Sequence, residues 1–396
     1  MKEKAVRSRG LASKILPSLV VMTFILVWSG CGRKTKIPGQ LFVLAQGNVF
    51  VITQSSIQTL VTDVAAAALS PDGNYLLYAL KDQTLLRDLS TGLDRAVLNE
   101  SARTMGWNAD GSRFFIVTGC ETNRLFAGRI QGNVMKIFQG GKALYGSEDD
   151  SSTAEEMRCG ELGSCLFLAK NTLVFSAFDG PMPRRTDEAE IFANKAFLIQ
   201  LDATPPLVKT TDFPNQERWK FVDVSKENDS VLLSVERNPE NLTLFEHSIY
   251  VTPLFHEWSQ ISFQNEIQQN ITRWENGSWG VEGELALIFT PKTNRLFGLG
   301  IETTDKGPRQ YFIQIDPESG QTVRGADMES GQIINRPVFD PEERYAAILM
   351  LVDQGTREHV TILDLPTNER FSAWEIKAPK GYAFDAKRDR LLAWIL

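Results

Sequence analysis

Charged and aromatic side chains are plentiful in this 396-residue chain, but few stand at spacings that do chemistry. His256-Glu257 begins like the helical zinc-protease motif, yet Gln260 occupies the place of the second histidine. The three histidines, His247, His256 and His359, are too scattered to ligate a metal as one set. No glycine-rich phosphate loop, dinucleotide fingerprint or nucleophile elbow is present. A glycosidase needs only two carboxylates at a suitable separation, and 49 acidic residues single out no pair. The sequence therefore predicts no catalytic residue, no metal ligand and no cofactor.

Binding chemistry is better represented. Arg184, Arg185 and Arg309 can pair carboxylates or phosphate. Asp149, Asp150, Glu155 and Glu156 make an acidic cluster. Trp274 and Trp279 flank Glu275-Asn276-Gly277, an arrangement that suits stacking on a sugar ring or anchoring a partner protein. Each has an ordinary reading too: a Ser-rich acidic loop is usually solvated, a paired Arg is usually surface, and tryptophans near a repeat boundary usually pack. The formal charge of −7 argues against a nucleic-acid partner, because phosphate contacts need clustered Lys and Arg.

The elements that must position these side chains are strands. From residue 41 onward, short runs of β-branched, Leu and aromatic residues alternate with turn residues, and helical periodicity is absent. One unit is legible at 65–98. Ala67–Leu69 leads through the turn Ser70-Pro71-Asp72-Gly73-Asn74 into Tyr75–Leu80. Thr84–Leu89 follows, then the turn Ser90-Thr91-Gly92 and Arg95–Leu98. The unit is read as four antiparallel strands. Its first turn recurs at 107–112, 170–171, 225–229, 291–294, 340–343 and 385–389, giving seven anchors at the spacing of propeller blades.

With its turns Ser70–Asn74, Asn108–Ser112 and Asp340–Arg344, the pattern resembles the WD40-like or TolB-type β-propeller. The resemblance implies an all-β fold over 41–396: about seven four-stranded blades, closed by the N- and C-terminal strands. Residues 378–396 read as the first half of a unit and 41–62 as its later strands, with Leu41–Ala45 and Leu391–Ile395 competing for one place. Lettering the strands of each blade one to four outward, the first-to-second turns are all short. Insertions at 139–164, 179–195, 237–246, 264–281, 302–309 and 353–358 fall in second-to-third or fourth-to-first connections, which share one face. Insertions gathered on one face of a repeat protein mark its binding face.

The first thirty residues read as an address. Lys2, Lys4, Arg7, Arg9 and Lys14 precede an uncharged apolar run, 15–28, too short for a spanning helix. The junction Val27-Trp28-Ser29-Gly30-Cys31 resembles a bacterial lipobox, with Trp28 where that family prefers Leu. The resemblance implies a signal peptide over 1–30, cleavage before Cys31, lipidation of Cys31 and a tether over 31–40. An uncleaved anchor helix is the alternative. Cleavage takes away five basic residues and one acid, leaving 37 against 48 and a net of −11. In an oxidising compartment Cys159 and Cys165, which bracket a short Gly-containing loop, are the expected disulfide, and Cys120 stays a thiol.

The expected function is a non-catalytic binding or scaffold role in the cell envelope, outside the cytoplasm and held to a bacterial membrane by lipid. The partner, an envelope protein or a polysaccharide, meets the long-loop face. The alternative is an extracytoplasmic hydrolase or lyase acting on glycans.

Overall fold

The computed structural model describes residues 38–118, 124–132, 134–139, 167–169, 171–177, 195–202, 207–212, 217–225, 230–237, 246–253, 265–267, 288–293, 295–304, 307–316, 322–327, 332–333, 336–352, 357–367, 369–376 and 389–395. Every regular element among them is a strand. Contacts divide the chain into Met1–Pro38 and Gly39–Leu396, and the described sheets all belong to the second unit.

Three strands come first: β1 (Gln40–Ala45), β2 (Asn48–Ile52) and β3 (Ile57–Val61). The first complete sheet is β4 (Ala66–Leu69), β5 (Tyr75–Ala79), β6 (Thr84–Asp88) and β7 (Asp94–Leu98). The second is β8 (Ala102–Trp107), β9 (Arg113–Thr118), β10 (Arg124–Arg129) and β11 (Met135–Gln139). The third is β12 (Phe167–Ala169), β13 (Thr172–Ala177), β14 (Lys195–Gln200) and β15 (Leu207–Asp212). The fourth is β16 (Glu217–Val224), β17 (Ser230–Arg237), β18 (Glu246–Pro253) and β19 (Asn265–Ile267). The fifth is β20 (Ile288–Phe289), β21 (Leu296–Thr304), β22 (Gly307–Ile315) and β23 (Thr322–Asp327). In the sixth, β24 (Gln332–Ile333) and β25 (Val338–Phe339) both pair with β26 (Tyr345–Val352), followed by β27 (Arg357–Asp364) and β28 (Glu369–Ile376). The last strand, β29 (Arg390–Ile395), pairs with β1, making the order β29-β1-β2-β3. All pairings are antiparallel.

One turn is built repeatedly between first and second strands. The side-chain oxygens of Ser70, Asn108, Thr290 and Asp340 each accept the backbone N–H five residues on, that of Tyr75, Arg113, Arg295 and Tyr345. The backbone N–H groups of the same four residues donate to the carbonyls of those partners. The third residue onward sits in the left-handed region: Gly73, Gly111 and, without glycine's freedom, Glu343 at φ 54°. This is why Asp, Asn, Ser and Thr mark the anchors, and why Gly recurs three positions later.

Alternation explains the cores. Leu76 and Tyr78 of β5 face the sheet of β29 and β1–β3, whereas Leu77 and Ala79 face the second sheet. Phe114 and Ile116 of β9 pack toward the first sheet, and Phe115 and Val117 toward the third. A strand buried on both faces needs apolar residues at every position, as in the run Phe114–Val117. Phe297, Phe312, Phe339 and Ile348 join the fifth and sixth sheets in the same way.

Three sequence expectations are corrected. The segment 302–309 is no loop, because β21 and β22 pair as far as Thr304↔Gly307. The connection at 353–358 shrinks likewise, since β26 and β27 pair out to Val352↔Arg357. Leu41–Ala45 and Leu391–Ile395 do not compete: they pair side by side. β29 packs against β25 and β4, as β4 packs against β8, so it holds the first-strand place rather than the second. The expected strand Tyr382–Phe384 lies outside the described residues.

Candidate functional site

Strand direction decides where the insertions leave the sheets. In an antiparallel sheet the second-to-third and fourth-to-first connections leave from one end, and the others from the opposite end. Between described strands, 140–166 and 268–287 are fourth-to-first connections, and 178–194 and 238–245 are second-to-third. The first-to-second turns, such as Ser70–Asn74, belong to the other end. The longest of these connections, 140–166, 178–194 and 268–287, thus leave from one end, whereas in the fourth sheet the third-to-fourth connection 254–264 leaves from the other end and is longer than 238–245, and in the fifth and sixth sheets the expected loops 302–309 and 353–358 are largely ladder.

Most residues named from sequence fall outside the described residues: Cys31, Cys120, Asp149, Asp150, Glu155, Glu156, Cys159, Cys165, Arg184, Arg185, Trp274 and Trp279. Arg309 is described, and it stands in β22 opposite Glu302. It belongs to a strand pair, not to a loop. No group of three or more His, Cys, Asp or Glu suited to a metal occurs among the described residues.

One recess at this end is fully described. A groove of about 680 Å³ lies on the seam between β3 and the first sheet, lined by Thr59–Asp63, Tyr78, Leu80–Asp82 and Arg87. Exposed Thr62, Asp63, Lys81 and Asp82 stand in the connections after β3 and after β5, at the long-loop end. Arg87 and Tyr78 line the groove, and Arg87 is held by Asp94. Arg87 donates from Nε and Nη2 to the two carboxylate oxygens of Asp94, at 2.8 and 2.6 Å. Its Nη1 donates to the Leu60 carbonyl at 3.1 Å, which ties β6 to the edge strand β3 across the seam. The guanidinium carbon lies 5.6 Å from the Tyr78 ring centre.

The electrostatics are those of one interacting cluster of Tyr78, Arg87 and Asp94. Burial, then the Asp94 carboxylate, pushes the Tyr78 hydroxyl up to about 12. The Arg87 hydrogen bonds hold the Asp94 carboxyl below the usual carboxylate range. Paired charges, a neutral phenol and exposed Thr, Lys and Asp at the rim offer hydrogen bonds without an activated nucleophile. The sequence showed Arg87 and Asp94 on either side of the Ser90-Thr91-Gly92 turn. It gave no signal for Leu60, 27 residues earlier, because that contact exists only once two sheets pack.

Four-stranded antiparallel sheets, packed in succession with first strand against first strand, define the β-propeller class of fold. No family model matches the chain, and no curated protein does. Solved structures do. An acylaminoacyl peptidase from Pyrococcus horikoshii superposes with a TM-score of 0.52 at 13% identity, over 86% of this chain and 51% of that one. An oligogalacturonate lyase from Vibrio parahaemolyticus gives 0.50 at 12% identity, over 78% and 82%. TolB from Acinetobacter baumannii gives 0.42 at 10% identity, over 97% and 74%. At such identities the likeness to the peptidase and the lyase bears on the fold alone and transfers no activity.

Proposed function

We propose that this chain is an extracytoplasmic, membrane-tethered propeller lipoprotein of seven blades, closed by the pairing of β1 with β29. It binds an envelope protein or a polysaccharide through its long-loop face and catalyses nothing. The N-terminal basic and apolar segments and the lipobox-like junction at Cys31 support the tether. The absence of any catalytic spacing in the sequence supports the binding role.

The observation that carries the reading is the asymmetry of connection length. The segments 140–166 and 178–194 leave from one end of neighbouring sheets, while at the other end the first-to-second turns are as short as Ser70–Asn74 and the third-to-fourth connection 254–264 is well below either in length. The groove beside Tyr78 and Lys81 opens at the same end and extends that surface.

The test replaces 140–166 and 178–194 with short Gly-Ser links, separately and together, in the full chain. A partner captured from envelope extracts by the wild-type protein is lost with the shortened loops and kept when Ser90-Thr91-Gly92 is altered instead. Equal capture by all variants contradicts the assignment. Turnover of a glycan in a panel assay, abolished by one Asp or Glu substitution, contradicts the non-catalytic reading.

A further inference from the structure

The end of the molecule opposite the long loops has its own pattern. Four large apolar side chains are exposed among the described residues: Ile57 (40%), Leu93 (71%), Leu207 (48%) and Val323 (48%). They are far apart in sequence and belong to four different sheets. All occupy one place in the repeat. Ile57 and Leu207 open β3 and β15, Val323 is the second residue of β23, and Leu93 immediately precedes β7. Each is thus at the start of an outermost strand, on the rim of the short-turn end.

The chain enters the sheets at that same end. Gln40, the first residue of β1, pairs with Ile395 at the close of β29. The Ile395 side chain lies against Gly73, in the short first-to-second turn of the first sheet. Gln40 is therefore at the short-turn end. The other end of β1 carries the Gln46-Gly47 turn and belongs to the long-loop end.

Length then decides orientation. From Cys31 to Pro38 is eight residues, which span at most about 28 Å when fully extended. Bringing the long-loop end to the membrane would use about 20 Å of that reach along the six-residue β1 alone, before the leash turns the edge of the sheet.

We propose that the short-turn end faces the lipid bilayer that holds Cys31, with Ile57, Leu93, Leu207 and Val323 as its apolar rim against the membrane surface, and that the long-loop end points away toward the partner. This rests on the N-terminal anchor given above. The occupant is the bilayer itself. The argument for it is the position and shortness of the leash, joined to a set of exposed apolar residues on the side from which the leash departs. Side chains of this size at an interface bind lipid weakly one by one, and a tether makes weak contacts count by raising local concentration.

The experiment uses the full chain as matured in cells, reconstituted into phosphatidylethanolamine–phosphatidylglycerol vesicles containing a phospholipid with a photoactivatable diazirine headgroup. Adducts are mapped to peptides after illumination, and fractionation of wild-type and Cys31→Ser protein is run beside it. Adducts concentrated on the peptides carrying Ile57, Leu93, Leu207 and Val323, and reduced at position 93 in Leu93→Ser, support the proposal. Adducts on the peptides carrying Thr62 and Lys81–Asp82, equal labelling of both ends, or no labelling of vesicle-bound protein overturn it. Fractionation separates the two failures. If the wild-type protein is released from membranes, the anchor is wrong and the orientation falls with it. If it is bound and labelled at the wrong end, only the orientation falls. A concentration-dependent dimer that shields Leu93 from the diazirine assigns the rim to a second copy and also overturns it.

Discussion

The backbone N–H of Gln46 donates to the carboxylate of buried Asp389 across 3.1 Å, joining the hairpin turn of the first two strands to the segment that opens the last strand. With the β1–β29 ladder beside it, this bond fastens the first and last described strands into one sheet. An edge left open there would expose unpaired backbone. Asp389→Ala removes this buried acceptor, and the expected loss is about 1–3 kcal/mol. Urea denaturation gives the value, and an unchanged midpoint contradicts the stabilising role of this bond.

The repeated turn supplies an internal control. Asp340 and Asn108 hold equivalent places and cap the next strand alike. Burial raises the proton affinity of Asp340 above the usual carboxylate range, despite backbone hydrogen bonds that oppose it. A raised folded-state value means that this group favours the fold at low pH. That contribution is lost as pH rises through the raised value. Asp340→Asn keeps the acceptor and removes the buried charge, so it leaves neutral-pH stability unchanged or higher by up to about 1 kcal/mol. Asp340→Ala lowers it. Thermal unfolding of the two variants separates these outcomes.

Glu343 is the third residue after Asp340 and adopts φ 54°, where its counterparts are Gly73 and Gly111. The strain is offset by reach: its carboxylate accepts from the Thr293 N–H at 2.9 Å and from the Thr293 hydroxyl at 2.7 Å, bridging the turns of the fifth and sixth sheets. Glu343→Ala keeps the strain and loses the bridge, whereas Glu343→Gly loses the bridge and relieves the strain, by about 1 kcal/mol. Alanine is therefore the more destabilising change. The reverse order in chemical denaturation contradicts this account.

At alkaline pH the groove floor becomes a liability. With the Tyr78 hydroxyl pushed up to about 12 from its ordinary 10.0, the folded state resists ionisation that the unfolded chain undergoes. Its contribution is complete below the ordinary value and is lost as pH rises toward the folded one. Urea midpoints measured across this range fall for the wild-type protein, and fall less for Tyr78→Phe. Asp94 acts in the opposite sense: Arg87 lowers its value, so its stabilisation is present at neutral pH and is lost on acidification.

Exposed Lys81 and Asp82 stand at the long-loop end of the groove. Lys81→Glu with Asp82→Lys reverses their charges without touching the core, and its effect on stability stays within about 0.5 kcal/mol. The expected outcome is weaker capture of the partner at an unchanged melting temperature. Unchanged capture removes the groove from the binding surface.

The sequence made the turns legible because their chemistry is local. Pro71-Asp72-Gly73 and the capping oxygens of Ser70 and Asn108 act within six residues, and the strands of 65–98 follow from them almost residue for residue. It misread 302–309 because Glu302, Thr303, Thr304 and Lys306 are polar and turn-like, while the ladder beyond a sheet's buried part asks for no apolar side chain. The place of β29 was hidden for a different reason: Leu391–Ile395 and Leu41–Ala45 are equally strand-like, and only packing against β25 and β4 assigns the inner position. The groove was invisible because Arg87 and Leu60 meet across a seam between sheets.

Hydrogen exchange of the protein with and without its captured partner tests the binding face directly. Protection is expected at Thr62–Val64 and Leu80–Gln83, at the long-loop end of the described sheets, with exchange unchanged at Pro71–Asn74 and Ser90–Gly92. Protection confined to Pro71–Asn74 and Ser90–Gly92 contradicts the account.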